Sequence, residues 1–256
     1  MRILFIFLAL ASFNYAQDKP QNGVATSKPD YILLKNAEII VSPTKTISKG
    51  CILIKDDKIV EVGTSISSPK NCVEIDCEGK TIVPAFIELN SSLGMPTSIH
   101  PKEKNEYSLQ MNSSKSENYS WNEAIHPEFE AGLNFGYDKE GALKLEKMGF
   151  GFALSHLRDG IVRGSSVLVS TNASNTRYIL KNQVGSHFSF DKGSSHQSYP
   201  SSQMGSIALL RQTFYDLEWY EKQENTTPNI SLDALAKQTS IPLFFETEDA
   251  QEIARA

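Results

Sequence analysis

The chain has 256 residues, 40% of them hydrophobic and 21% charged, with a formal net charge of −5. That balance suits an ordinary globular protein, long enough for one large α/β domain or two small ones, and excludes disordered and collagen-like classes. The charges are mild and dispersed, so the clustered Lys/Arg face that grips a phosphate backbone is missing, and nucleic acid is not an expected partner.

The chain opens with Arg2, an apolar run over residues 3–11 and a small residue at Ala16. A charged start, a short apolar stretch and a small residue at the cut predict an export signal over 1–16 and a periplasmic or extracellular destination. The run is too short to cross a bilayer, so no transmembrane helix is expected. A polar linker follows over 17–30. Cys51, Cys72 and Cys77 are odd in number and lack paired spacing, which predicts apolar packing rather than a disulfide or zinc framework. Five apart, Cys72 and Cys77 would face opposite ways on one strand.

Residues 31–83 read as strands: β-branched runs at 31–41, 51–55, 58–63 and 72–76, separated by Gly, Pro, Asp and Ser. Two apolar stretches flank the acidic pair Asp56-Asp57 and predict a hairpin that Gly63 ends. The expectation is a small antiparallel β-sandwich. From Thr81 to Leu89 the sequence is nearly all apolar, the pattern of a strand buried on both faces, and residues 84–256 are expected to begin a barrel there. A polar stretch over 97–120 predicts a long surface loop. Asp138 is then a candidate cap for a helix through Lys147 that Gly149 stops, and residues 150–156 form the next strand.

Residues 161–170 look extended, whereas the Ser/Gly/His-rich stretch to Gln203 has no assignable pattern. Met204, Ile207, Leu210, Phe214 and Leu217 recur at three or four residues and predict one buried face of a helix. Helix at 232–237, strand at 241–246 and helix from 249 close the sequence. No stop signal follows, so a further C-terminal part of the same polypeptide is expected.

The hairpin ILIKDDKIVEVG, the segment IDCEGKTIVPAFIEL and the helix MGSIALLRQ…WY together resemble the metal-dependent amidohydrolases, in particular the imidazolonepropionase-like branch. The resemblance runs from about Tyr31 to the end. It implies an α/β fold: a truncated (β/α)8 TIM-type barrel preceded by the sandwich. It also implies hydrolysis of C–N bonds in cyclic or linear amides, with an amide-type small molecule as substrate and a divalent metal, zinc, in the full-length parent. In the family the first barrel strand ends Pro-Gly-Phe-Ile-Asp-x-His-x-His, and its two histidines bind the metal. The matching residues here run from Pro84 to Ser92, with Asn90 and Ser92 in the histidine positions and Glu88 in that of the aspartate. An amide and a hydroxyl are poor zinc ligands, so no metal site is expected on this strand. Longer exported relatives resemble tandem proteins in which one copy has lost its ligands, and the alternative reading is a non-catalytic binding or scaffolding module.

The binding candidates are therefore Glu88, Asn90, Ser92, His156 and Arg163. His156 ends a predicted barrel strand, where barrel enzymes place their chemistry, and Arg158 and Asp159 follow in its loop. The plainer role for His156 is a histidine satisfied by a neighbouring carboxylate. Arg163 could clamp an anionic or amide group, or form a surface ion pair. His187, His196 and Asp191 lack a zinc spacing and read as a loop set. His100 and His126 each precede a proline and suggest no chemistry. Trp219 and Tyr220 read as packing residues. No Gly-x-Ser-x-Gly nucleophile motif is present, and no catalytic residue is assigned.

Overall fold

The computed structural model describes residues 29–56, 58–97, 111–172, 178–224 and 227–256. The expected export signal, most of the linker, Asp57, His100 and the middle of the polar loop lie outside the described residues. Among the described residues no helix is long and apolar enough to cross a membrane. The chain divides into two compact units, one ending at Pro84 and the other spanning 85–256.

The first unit holds one five-stranded sheet: β1 (Tyr31–Ser42), β2 (Lys45–Lys55), β3 (Lys58–Gly63), β4 (Cys72–Asp76) and β5 (Thr81–Ile82). The order is β3-β2-β1-β4, with β5 also on β1. The expected hairpin forms, Lys55 facing Lys58 across the turn. The two-layer antiparallel sandwich does not: β4 and β5 both run parallel to β1. Eight residues leave Gly63 and carry the chain to the far side of β1, and a connection that crosses the sheet in this way returns a strand parallel rather than as another hairpin.

Alternation places two rows of aliphatic side chains on one face of this sheet. One row runs Val73, Ile32, Ile54, Ile59 and the next Ile75, Leu34, Ile52, Val62. Leu33 and Leu53 pack on the other face with Cys51 and Cys72, whereas Cys77 packs with Ala37, Ile39 and Ile52. Cys72 and Cys77 thus lie in separate clusters, and all three cysteines are free thiols.

The second unit contains two further sheets. One has the order β10-β9-β7-β6, from β6 (Phe86–Ser91), β7 (Phe150–Ser155), β9 (Val167–Ser170) and β10 (Ile179–Lys181). The other has the order β12-β11-β8, from β8 (Val162–Ser165), β11 (Ser186–Ser189) and β12 (Leu243–Glu246). Parallel pairing joins β6 to β7 and β11 to β12, as an α/β unit requires, but β7–β9 and β8–β11 are antiparallel. The sheets do not close on one another. β6 is an edge strand, and Phe86, Ile87 and Leu89 are each at least half exposed. Its apolar run was expected to be buried on both faces; a strand paired along one edge only has no such cover.

The helices are α1 (Ala131–Asn134), α2 (Lys139–Lys147), α3 (Gln203–Glu221), α4 (Ile230–Gln238) and α5 (Ala250–Arg255). Asp138 caps α2 by accepting from the Gly141 amide, and Gly149, at φ +90°, ends that turn. Ser202 caps α3 in the same way. The buried line of α3 is Ser206, Leu209, Thr213 and Leu217, rotated from the expected stripe: Met204 is 81% exposed, and Leu210 and Phe214 only flank the core. Leu209 and Leu217 reach the cluster of Ile161, Val162 and Phe188, and the Thr213 hydroxyl between them donates to Leu209 O. Trp219, expected to pack, is 60% exposed, while the Tyr220 hydroxyl donates to Asp233 and accepts from the Asn229 amide.

Residues 122–127, just beyond the expected surface loop, are buried. Ala124 and Ile125 join the core of Ile161, Val162, Phe188, Leu209, Leu217 and Leu235, and Ile125 bridges Val162. Several of the polar groups that this burial strands are paired from outside the segment. The Asn122 amide donates to Tyr199 O, the Glu123 amide to Gln197 Oε1, and Gln197 Nε2 to Met111 O and Trp121 O.

Candidate functional site

The C-terminal ends of β6, β7 and β12 meet, and the side chains there are joined in one network. On β6, the Asn90 backbone amide donates to Glu88 Oε1 at 3.0 Å, which ties the Glu88 carboxylate to its own strand end. The Asn90 side chain is used at both ends. Its Oδ1 lies 2.8 Å from His156 Nε2, and its Nδ2 donates to Glu246 Oε1 at 3.1 Å. His156 directly follows β7, and its backbone amide donates to Ser91 O at 2.9 Å, which holds the two strand ends in register.

Glu246 is the last residue of β12, and its carboxylate takes two guanidinium groups, Arg158 on Oε1 and Arg163 on Oε2. Arg163, on β8, is only 4% exposed and also donates from Nε to Gly160 O at 2.9 Å. Burial alone would raise the Glu246 pKa, but hydrogen bonds from Arg163, Asn90 and Arg158 hold it down at about 2. The carboxylate is therefore ionised at any physiological pH.

Two buried imidazoles complete the network. His187, on β11, lies against the His156 ring at 3.7 Å between centroids, and Phe244 covers its other face at 5.0 Å. Burial, then the neighbouring His156 and Arg163, push the His187 pKa down to about 2. Burial likewise lowers His156 to about 4, against the opposing pull of the Leu157 carbonyl 2.9 Å from Nδ1. Both rings are neutral at pH 7, so His156 carries a single N–H and donates to only one of the two acceptors it faces, Asn90 Oδ1 and the Leu157 carbonyl.

Above the network is a cavity of about 610 Å³, lined among others by Ser92, Arg158, Arg163, Glu246, Asp191 and Glu248. Its size is that of a small-molecule site. Of the residues singled out from sequence, Asn90, His156 and Arg163 meet in the network, Glu88 braces it, and Ser92 lines the cavity. His187 proves to be a strand residue rather than part of a loop set, and Asp191 stands on the cavity wall apart from it. Asp159, 3% exposed, turns away and accepts from Ser194 N and Oγ, both at 2.6 Å. Glu246 was missed, although the signal that marked His156, a polar residue closing a short apolar strand, marks Glu246 equally.

These residues do not fit a divalent cation. Both ends of the Asn90 amide are occupied, and the Glu246 carboxylate is already neutralised by guanidinium groups that would repel a dication. Ring lone pairs lie in the ring planes, and planes only 12° from parallel cannot converge on one ion. Among the described residues no group of three or more His, Cys, Asp or Glu is placed to hold a metal.

No family model matches the chain. Over 66 residues it is 41% identical to a dihydroorotase of Caldicellulosiruptor saccharolyticus, which is 25% of this chain and 15% of that protein. A 5'-deoxyadenosine deaminase of Methanobrevibacter smithii is 39% identical over 64 residues, again 25% of this chain and 15% of the other. The crystal structure of an amidohydrolase from Thermotoga maritima MSB8 superposes with a TM-score of 0.63 over 88% of this chain, at 19% identity. The chain spans 60% of that structure and a much smaller part of the curated relatives. Over these segments the chain is similar to a dihydroorotase and a deaminase, and its fold is that of an amidohydrolase structure.

Proposed function

We propose that this chain is part of an exported amidohydrolase-like protein of the imidazolonepropionase-like branch. Its second unit is a truncated (β/α)8 barrel whose mouth binds a small polar molecule without a metal. Hydrolysis of C–N bonds in cyclic or linear amides, with zinc polarising the carbonyl and activating water, belongs in this reading to a longer polypeptide whose ligands lie elsewhere. The segment described here acts as a binding module.

One observation carries the reading: the positions that match the family's paired histidines hold Asn90 and Ser92, and Asn90 is engaged by Glu246, which is itself paired with the buried Arg163. A buried guanidinium supplies fixed positive charge and hydrogen-bond donors, which orient a ligand but generate no hydroxide.

Elemental analysis of the 256-residue chain after incubation with zinc and dialysis tests this. Less than a tenth of an equivalent, with no turnover of dihydroorotate or N-acyl amides, is the expected result. One tightly held divalent ion per chain would overturn it.

A further inference from the structure

We infer that the 610 Å³ cavity takes a small zwitterion of the amino-acid or short-peptide class, its carboxylate directed to Arg158 and Arg163 and its ammonium to the acidic wall formed by Asp191, Glu248 and Glu252. This deepens, and rests on, the reading of the cavity as a metal-free binding pocket.

Charge is distributed unevenly in the cavity. At its base, two guanidinium groups share one carboxylate, Glu246, which leaves one positive charge in excess. Arg163 is buried, whereas the Arg158 side chain is 48% exposed and spends one nitrogen on Glu246. A guanidinium has five N–H donors in a planar fork, so Arg158 keeps donors for a second carboxylate. Glu246 already demonstrates the preference of this base for a carboxylate.

The wall has the opposite sign. Asp191 and Glu248 are exposed, Glu252 is half-buried, and none of the three forms an ion pair among the described residues. Their hydrogen bonds are to neutral donors: Asp191 accepts from the Gly193 amide, and Glu252 from Gln203 and the Glu248 amide. A simple anion would share the cavity with three carboxylates, and a simple cation would leave the excess positive charge of the guanidinium groups unpaired. A molecule carrying both charges satisfies both ends, and the volume suits a dipeptide.

Isothermal titration of the 256-residue chain with three probes tests the assignment: glycylglycine, its N-acetyl derivative and its C-terminal amide. Glycylglycine should bind at least tenfold more tightly than either capped form. In Arg158→Gln the preference over the amide should disappear, and in Glu248→Gln the preference over the N-acetyl form should shrink. Both side chains are exposed, and circular dichroism melts should stay cooperative, with at most a small shift for Arg158→Gln. Equal binding of all three probes, tighter binding of a capped form, or no binding of glycylglycine by a folded, metal-free chain would overturn the zwitterion. That outcome would leave the metal-free reading intact, since bound zinc alone decides that.

Discussion

The His187 ring lies flat on that of His156, with centroids 3.7 Å apart and planes 12° from parallel. A second imidazolium against the first would place two like charges in contact within a buried site, so the stack holds only while at least one ring is neutral.

An acid sensitivity follows. His126, His156 and His187 are all buried, and burial lowers their pKa values to about 4, 4 and 2 from an ordinary 6.5. For a base whose folded pKa is depressed, the unfolded chain binds protons first. Stability is therefore complete above about pH 6.5 and falls as the pH drops toward 4, by about 3 kcal/mol for each histidine. Urea melts at pH 7.5 and 5 should show the loss. His187→Phe, which keeps the stack and removes one unpartnered ring nitrogen, should flatten it. An unchanged pH slope in that variant would contradict the assignment.

Glu246 and its two arginines differ in burial, and so should their variants. Glu246→Gln leaves Arg163, 4% exposed, without its counter-ion and should cost roughly 2–4 kcal/mol, somewhat below a fully buried pair because the carboxylate is itself 23% exposed. Arg158→Gln removes a partner that is 48% exposed and should cost less than about 1 kcal/mol. Chemical denaturation of both variants checks the order.

Two glycines separate backbone strain from crowding. Gly164 and Gly79 both have positive φ, at +78° and +75°. A Cβ on Gly79 meets nothing within 4 Å, whereas one on Gly164 would lie 2.0 Å from the Phe129 carbonyl oxygen. Gly79→Ala should cost about 1–2 kcal/mol for the left-handed backbone alone. Gly164→Ala should cost clearly more and shift Arg163, its neighbour on β8. Thermal melts of the pair read the difference directly.

Introducing imidazoles on this strand should not create a metal site. The double variant Asn90→His, Ser92→His supplies two potential ligands but leaves the Arg163 charge in place. It should bind no stoichiometric zinc, whereas adding Arg163→Ala should increase zinc retention. Elemental analysis of the two proteins after dialysis distinguishes them.

Much of the local structure was legible because it is written in short-range chemistry. The hairpin between β2 and β3 follows from apolar runs around an acidic turn, and α2 from Asp138 at one end and Gly149 at the other. The long-range relations were not. The reading of β6 as a doubly covered strand failed because hydrophobicity reports what a strand could bury, not how many neighbours it has. His187 read as loop because a four-residue strand of Ser, His, Phe and Ser carries too little alternation to stand out.

By itself, the sequence determined which side chains close β6: Asn90 and Ser92, neither able to grip zinc as imidazole does. Only the tertiary structure decided what stands beside them, because Arg163 and Glu246 come from strands more than 70 residues further along the chain. Their approach to Asn90 depends on sheet pairing and packing between distant segments, and no local pattern of residues encodes that.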